Sequence, residues 1–101
     1  MVKKQRKGPL QEYQQALIDA YYDMWMHKIL DPLFEAFQQW KQGNLQHNEL
    51  TELIHKVHRE NQQVYSFFAQ SRDSIIGCIK MDQTWFSNWM ANNPLPPGIE
   101  L

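Results

Sequence analysis

The chain has very little of what marks redox, phosphate or cluster chemistry. One cysteine, Cys78, excludes an intramolecular disulfide and any Cys-x-x-Cys motif. The four glycines are scattered, so no glycine-rich loop can cradle a phosphate. No apolar run approaches the ~18 residues of a membrane span, and the basic opening MVKKQRKG is not followed by the apolar stretch of a secretory signal. These features predict a cytoplasmic protein with no membrane partner. Positive charge is also short. Four of the ten basic residues are Lys3, Lys4, Arg6 and Lys7, leaving six against eleven acidic residues in the remainder, a net of −5. A nucleic-acid binder needs a basic stripe on its folded part to neutralise phosphates, so no nucleic-acid role is expected.

What the chain does have is apolar bulk. Its 101 residues suit one domain, and 43% hydrophobic with 21% charged residues is an ordinary globular balance. Four tryptophans, four tyrosines, five phenylalanines and five methionines are a heavy load for so short a chain. A small interior hides them with difficulty, which predicts that a partner covers some of them. The expected organisation is a basic tail over residues 1–8, one helical domain over 9–93 and a proline-rich C-terminal tail over 94–101.

Helical punctuation is frequent. Pro9 presets φ at a helix start, and a first helix is expected from Pro9 to Leu30, with apolar stripes through Leu17, Tyr21 and Met24 and through Ile18, Trp25 and Ile29. Asp31-Pro32 reads as an N-cap followed by proline at the first helical position, predicting a break and a second helix, PLFEAFQQWKQ, that buries Leu33, Phe37 and Trp40. Gly43 then closes that helix. The dominant element is predicted over about 48–70, with Glu49 and Glu52 in its first turn complementing the helix dipole. Leu50, Ile54, Val57, Asn61, Val64 and Phe68 alternate spacings of four and three, a heptad seam that is the expected interface. QSRDS, at 70–74, is the expected break, with Ser71 or Asp73 as cap. Two shorter helical stretches follow, SIIGCIKM and DQTWFSNWMANN, the second with Asp82 as cap, before PLPPG ends the pattern.

Glu52, His55 and His58 raise the question of a metal. Di-metal bundles draw Glu-x-x-His from helices because residues three apart share a face. At roughly 100° per residue, however, Glu52 and His55 lie about 140–160° from the apolar seam and so face solvent. No metal or other cofactor is expected, and a Glu-x-x-His site across a dimer stands as an alternative. His58 falls at the seam's border, where a partly buried histidine bonded to a neighbour such as Tyr65 is expected.

Asn61 sits in the middle of the apolar seam. A buried amide costs stability unless paired, so it is expected either to bond a backbone carbonyl or Tyr65 in its own chain, or to meet a second chain and fix register there. Cys78, inside IIGCIK, is expected to be buried and inert. Tyr21, Trp25, Trp40 and Trp85 are candidates to line an aromatic pocket for a small ligand, a third reading of function.

Trp40, Gly43, Leu45, Glu49-Leu50, Ile54-His55 and His58 resemble a W-x-x-G-x-(I/L)-x3-E-L-x3-I-H-x2-H segment found in a group of short bacterial helical proteins. The resemblance covers about 20 residues and implies one helix ending at the tryptophan and glycine and another opening at the glutamate and leucine. It implies no activity, and it departs after His58, where this chain keeps helix formers. The combined expectation is an all-α, up-down bundle of three to five helices, homodimeric, serving as a non-enzymatic interaction or scaffold protein that self-associates through apolar helix faces.

Overall fold

The computed structural model describes residues 8–101, and the basic tail expected over 1–8 lies outside them apart from Gly8. The fold is all-α. Among the described residues there are four helices: α1 (Pro9–Lys41), α2 (His47–Phe68), α3 (Arg72–Met81) and α4 (Gln83–Asn92).

The expected break at Asp31-Pro32 is corrected. α1 runs unbroken for 33 residues with Pro32 inside it, so the predicted helices on either side are one. Proline removes one i→i−4 hydrogen bond and crowds the preceding turn, at a cost of about 3 kcal/mol. Two local features oppose the break. The Asp31 carboxylate does not cap a new helix but accepts from His27, one turn earlier, at 3.1 Å. Ile29 and Ala36, two turns apart across the proline, are both buried, and only a continuing helix puts them on one stripe.

α1 ends as its sequence demands. Gly43 has φ 84°, the amide of Gly43 donates to Trp40 O at 3.0 Å, and that of Asn44 to Gln39 O at 2.9 Å. This pair of bonds is the Schellman closure, which needs a left-handed residue at its centre. A Cβ on Gly43 would meet nothing within 4 Å, so the cost of Gly43→Ala is conformational alone. It should be about 1–2 kcal/mol, read as a lowered urea midpoint; an unchanged midpoint would mean the turn is not held this way.

The described chain divides into two compact units. The first comprises α1 up to Tyr21 together with residues 71–101. Leu17 and Ile79 are fully buried there, and Tyr13, Tyr21, Ile75 and Ile76 are buried as well. Tyr13, Leu17 and Tyr21 recur every four residues, so one face of α1 supplies all three. Edge-on ring contacts join Tyr13 to Trp89 at 5.2 Å and Tyr21 to Trp85 at 4.7 Å, and Trp85 stacks with Trp89. The two hydroxyls find acceptors: Tyr13 donates to Asn93 O at 2.7 Å and Tyr21 to Asp82 Oδ2 at 3.0 Å. Burial raises the Tyr13 pKa, which keeps this hydroxyl a donor.

Ser71 caps α3 as expected, its Oγ accepting from the Ser74 amide at 3.3 Å. Asp82 both ends α3 and precedes α4, and its carboxylate is engaged by Tyr21 rather than by a helix amide. Past α4, Leu95, Pro96, Ile99 and Leu101 are half-buried, and Lys80 Nζ donates to Leu101 O at 3.1 Å. Cys78 is exposed. The expectation of a buried thiol is therefore corrected: Ile75, Ile76 and Ile79 take the inner face of α3, and Cys78 falls outside it.

The second unit comprises residues 22–70, that is α1 from Tyr22 onward, the Gly43 turn and α2. The short turn makes the two helices antiparallel neighbours. Tyr22 meets Phe68 edge-on at 4.9 Å at one end, and Trp40 Nε1 donates to His47 Nδ1 at 2.8 Å at the other. Ile29 and Ala36 of α1 and Leu50 and Val64 of α2 are buried.

Candidate functional site

The predicted seam of α2 divides. Leu50 and Val64 are buried, Val57 and Phe68 are half-buried, and Ile54 and Asn61 are exposed. The seam thus faces α1 at one edge and solvent at the other. Asn61 makes no side-chain hydrogen bond to a described residue, and Tyr65, at 76% exposure, gives it none; the expectation of an internal partner is corrected. His58 is likewise exposed rather than partly buried, because the buried line of α2 passes through Leu50, Val57 and Val64, about 100° away round the helix.

Glu52 and His55 project to solvent on the far side of α2. Among the described residues, no group of three or more His, Cys, Asp or Glu side chains is placed to hold a metal ion. The four aromatics considered for a pocket are engaged separately. Tyr21 packs on Trp85 in the first unit; in the second, Trp25 lies under Lys28 Nζ at 4.6 Å and Trp40 bonds His47. The cleft beside Trp40 and His47, at the Gly43 turn, is open to solvent and lined by Leu45, Gln46 and Asn48.

An apolar strip is the feature the sequence reading missed. Leu30 is 42% exposed, Phe34 64% and Phe37 41%, at spacings of four and three along α1. They lie roughly a third of a turn round the helix from buried Ile29 and Ala36, in the direction of increasing residue number. On α2, Ile54 and Tyr65 are displaced from buried Leu50 and Val64 in the same numerical direction. Antiparallel helices wind in opposite senses when seen from one end, so both displacements lead to one edge of the hairpin. Leu30, Phe34, Phe37, Ile54 and Tyr65 therefore lie along one exposed edge, with the polar Asn61 and His58 between Ile54 and Tyr65. The opposite edge is polar and carries Glu49, Lys56 and Glu60, the last two 3.9 Å apart.

His27 borders the α1 strip. Its Nδ1 lies 3.1 Å from Asp31 Oδ1 and its Nε2 3.7 Å from Asp23 Oδ1. The hydrogen bond to Asp31, then the charge of Asp31, then that of Asp23, raise its pKa above the ordinary 6.5. The protonated ring is the bound form, so its support for α1 is complete below pH 6.5 and is lost as pH rises through the raised value. In an NMR titration the His27 ring should show a midpoint above 6.5, and Asp31→Asn should lower it. An unmoved midpoint in that variant would remove Asp31 as the cause.

The signal for this strip was present in the sequence as Leu30, Phe34 and Phe37, but it spans Asp31-Pro32. The break expected there separates Leu30 from the two phenylalanines. The expectation that Phe37 and Trp40 are buried with Leu33 is corrected: Phe37 and Trp40 are exposed and Leu33 is half-buried, because Ile29 and Ala36 set the inner stripe of the continuous helix. Comparison of the chain with protein-family models, with curated proteins and with solved structures gives no match in any of the three.

Proposed function

We propose that this is a non-enzymatic interaction protein that self-associates, most simply as a homodimer, through the apolar edge of the α1–α2 hairpin. The observation that supports it is the concentration of exposed bulk on that edge, led by Phe34. Soluble monomers rarely present a contiguous apolar patch of more than a few hundred Å². The 22 residues of α2 give a length of about 33 Å. With the axes about 10 Å apart and each helix about 10 Å across, the footprint is on the order of 600 Å². A standard interface buries roughly 800 Å² per partner and the smallest specific ones about 600 Å², so this edge reaches the lower end of that range.

The metal reading through Glu52, His55 and His58 has less support, since these side chains do not converge with further ligands. The aromatic-pocket reading also has less, since Tyr21, Trp25, Trp40 and Trp85 each have their own neighbours. The test is the mass of the chain in solution across a dilution series. Association predicts a mass that falls toward the 12.1 kDa of one chain on dilution, and a single-chain mass at every concentration would sink the proposal.

A further inference from the structure

The exposed strip of α1 is longer than its apolar centre. Asp23, His27, Leu30, Phe34, Phe37 and Lys41 follow one another at spacings of four, three, four, three and four, all within one helix that passes through Pro32 without interruption. That is a heptad seam. The helix presents it to solvent, because every one of the six side chains is exposed.

The seam has a symmetry that a continuous helix alone reveals. Counted outward from Pro32, Leu30 and Phe34 are equidistant, as are His27 and Phe37, and as are Asp23 and Lys41. The apolar residues sit at the centre, an acid stands at one end and a base at the other. A seam of this kind matches itself when a second copy runs in the opposite direction.

We infer that the occupant of this face is a second copy of the chain, docked antiparallel on α1 about a two-fold axis level with Pro32, so that Asp23 of each copy meets Lys41 of the other. This inference rests on the self-association proposed above and adds its geometry. In that docking Leu30 lies against Phe34 of the second copy, and His27 against Phe37. The contact is isologous, so each pairing occurs twice. Charge selects it. A parallel arrangement would set Asp23 against Asp23 and Lys41 against Lys41, and like charges facing one another across an interface repel. Docking α1 on α2 of the copy would leave Asp23 and Lys41 without each other. Helix dipoles also oppose one another only in the antiparallel form.

Reversal of charge tests it on the full-length chain. Asp23→Lys alone and Lys41→Asp alone should each weaken dimerisation roughly tenfold or more, because two like-charged pairs are created per dimer. Asp23→Lys combined with Lys41→Asp should recover the wild-type dissociation constant to within a few-fold. Both positions are exposed, and circular dichroism verifies that each variant stays helical. A second measurement reads direction: with Cys78 replaced by serine, a mixture of Asp23→Cys and Lys41→Cys chains should oxidise to the mixed disulfide in preference to either like pair. A wild-type dimer that tolerates both single reversals, or whose Asp23→Cys chains cross-link to each other, overturns the antiparallel docking while leaving self-association standing. A wild-type chain that is monomeric throughout overturns both.

Discussion

Replacing Ile79 by alanine should destabilise the chain by about 2–5 kcal/mol, the range for large-to-small changes in a packed core. Ile79 has no exposed surface, and with Leu17 it forms the most deeply buried pair of side chains in the first unit. α3 is only ten residues long, too short to be stable by its own hydrogen bonds, since isolated helices under ~12–15 residues are marginal in water. Its helicity depends on burying Ile75, Ile76 and Ile79. For a domain of this size each kcal/mol shifts Tm by roughly 4–8 °C, so a fall of about 10 °C or more is expected. The near-ultraviolet signal of Trp85 and Trp89 should melt in the same transition, because they pack on Tyr21 and Tyr13 in that unit. Met81 gives the control. It lies two residues further along α3 and is 81% exposed, so Met81→Ala should move stability by no more than about 0.5 kcal/mol. Equal effects at the two positions would show that α3 is not seated by its isoleucine face.

Phe34→Asp should have the opposite profile, with little effect on folding and a large one on association. The side chain is 64% exposed in the single chain, so replacing it removes little intramolecular packing. In the docking proposed above the same position lies near the centre of the seam. A carboxylate there is desolvated without a partner, and the two-fold axis makes the substitution count twice. Truncating a central aromatic anchor typically costs 2 kcal/mol or more, and with the added charge the dimer dissociation constant should rise by roughly a hundredfold or more. Thermal melting at low concentration, where the wild type is also dissociated, should be nearly unchanged. If Phe34→Asp melted early while keeping its self-affinity, Phe34 would be part of the fold instead of the interface.

Local chemistry was the legible part of this sequence. Pro9, the Gly43 turn and the Ser71 cap lie where the sequence marks them, because each depends on a few residues in a row: a fixed φ, a left-handed glycine, a hydroxyl three residues before an amide. The inner face of α2 was legible in part, with Leu50 and Val64 of the expected seam buried, whereas on α3 Ile76 and Ile79 were not marked out from Cys78. Periodicity identifies an apolar side. It does not tell where that side is centred. Asn61 and Ile54 lie on its outer edge, and Cys78 lies beyond it.

The reading at Asp31-Pro32 failed for a physical reason with consequences further on. Asp-Pro is a helix-start signal when the aspartate is free to cap, but here His27 holds the carboxylate from within the preceding turn. Burying Ile29 and Ala36 on a common stripe then offsets the loss of one backbone bond. Dividing α1 at that point also concealed the seam from Asp23 to Lys41, whose order is visible only when residues 23–41 are one helix.

Mass at equilibrium tests self-association most directly. Sedimentation equilibrium of the wild-type chain, followed from micromolar to millimolar concentration, should approach twice the 12.1 kDa chain mass at the upper end, with Phe34→Asp staying near the single-chain value under the same conditions. A wild-type chain that sediments as a monomer across that whole range would contradict the assignment of this edge as an interface.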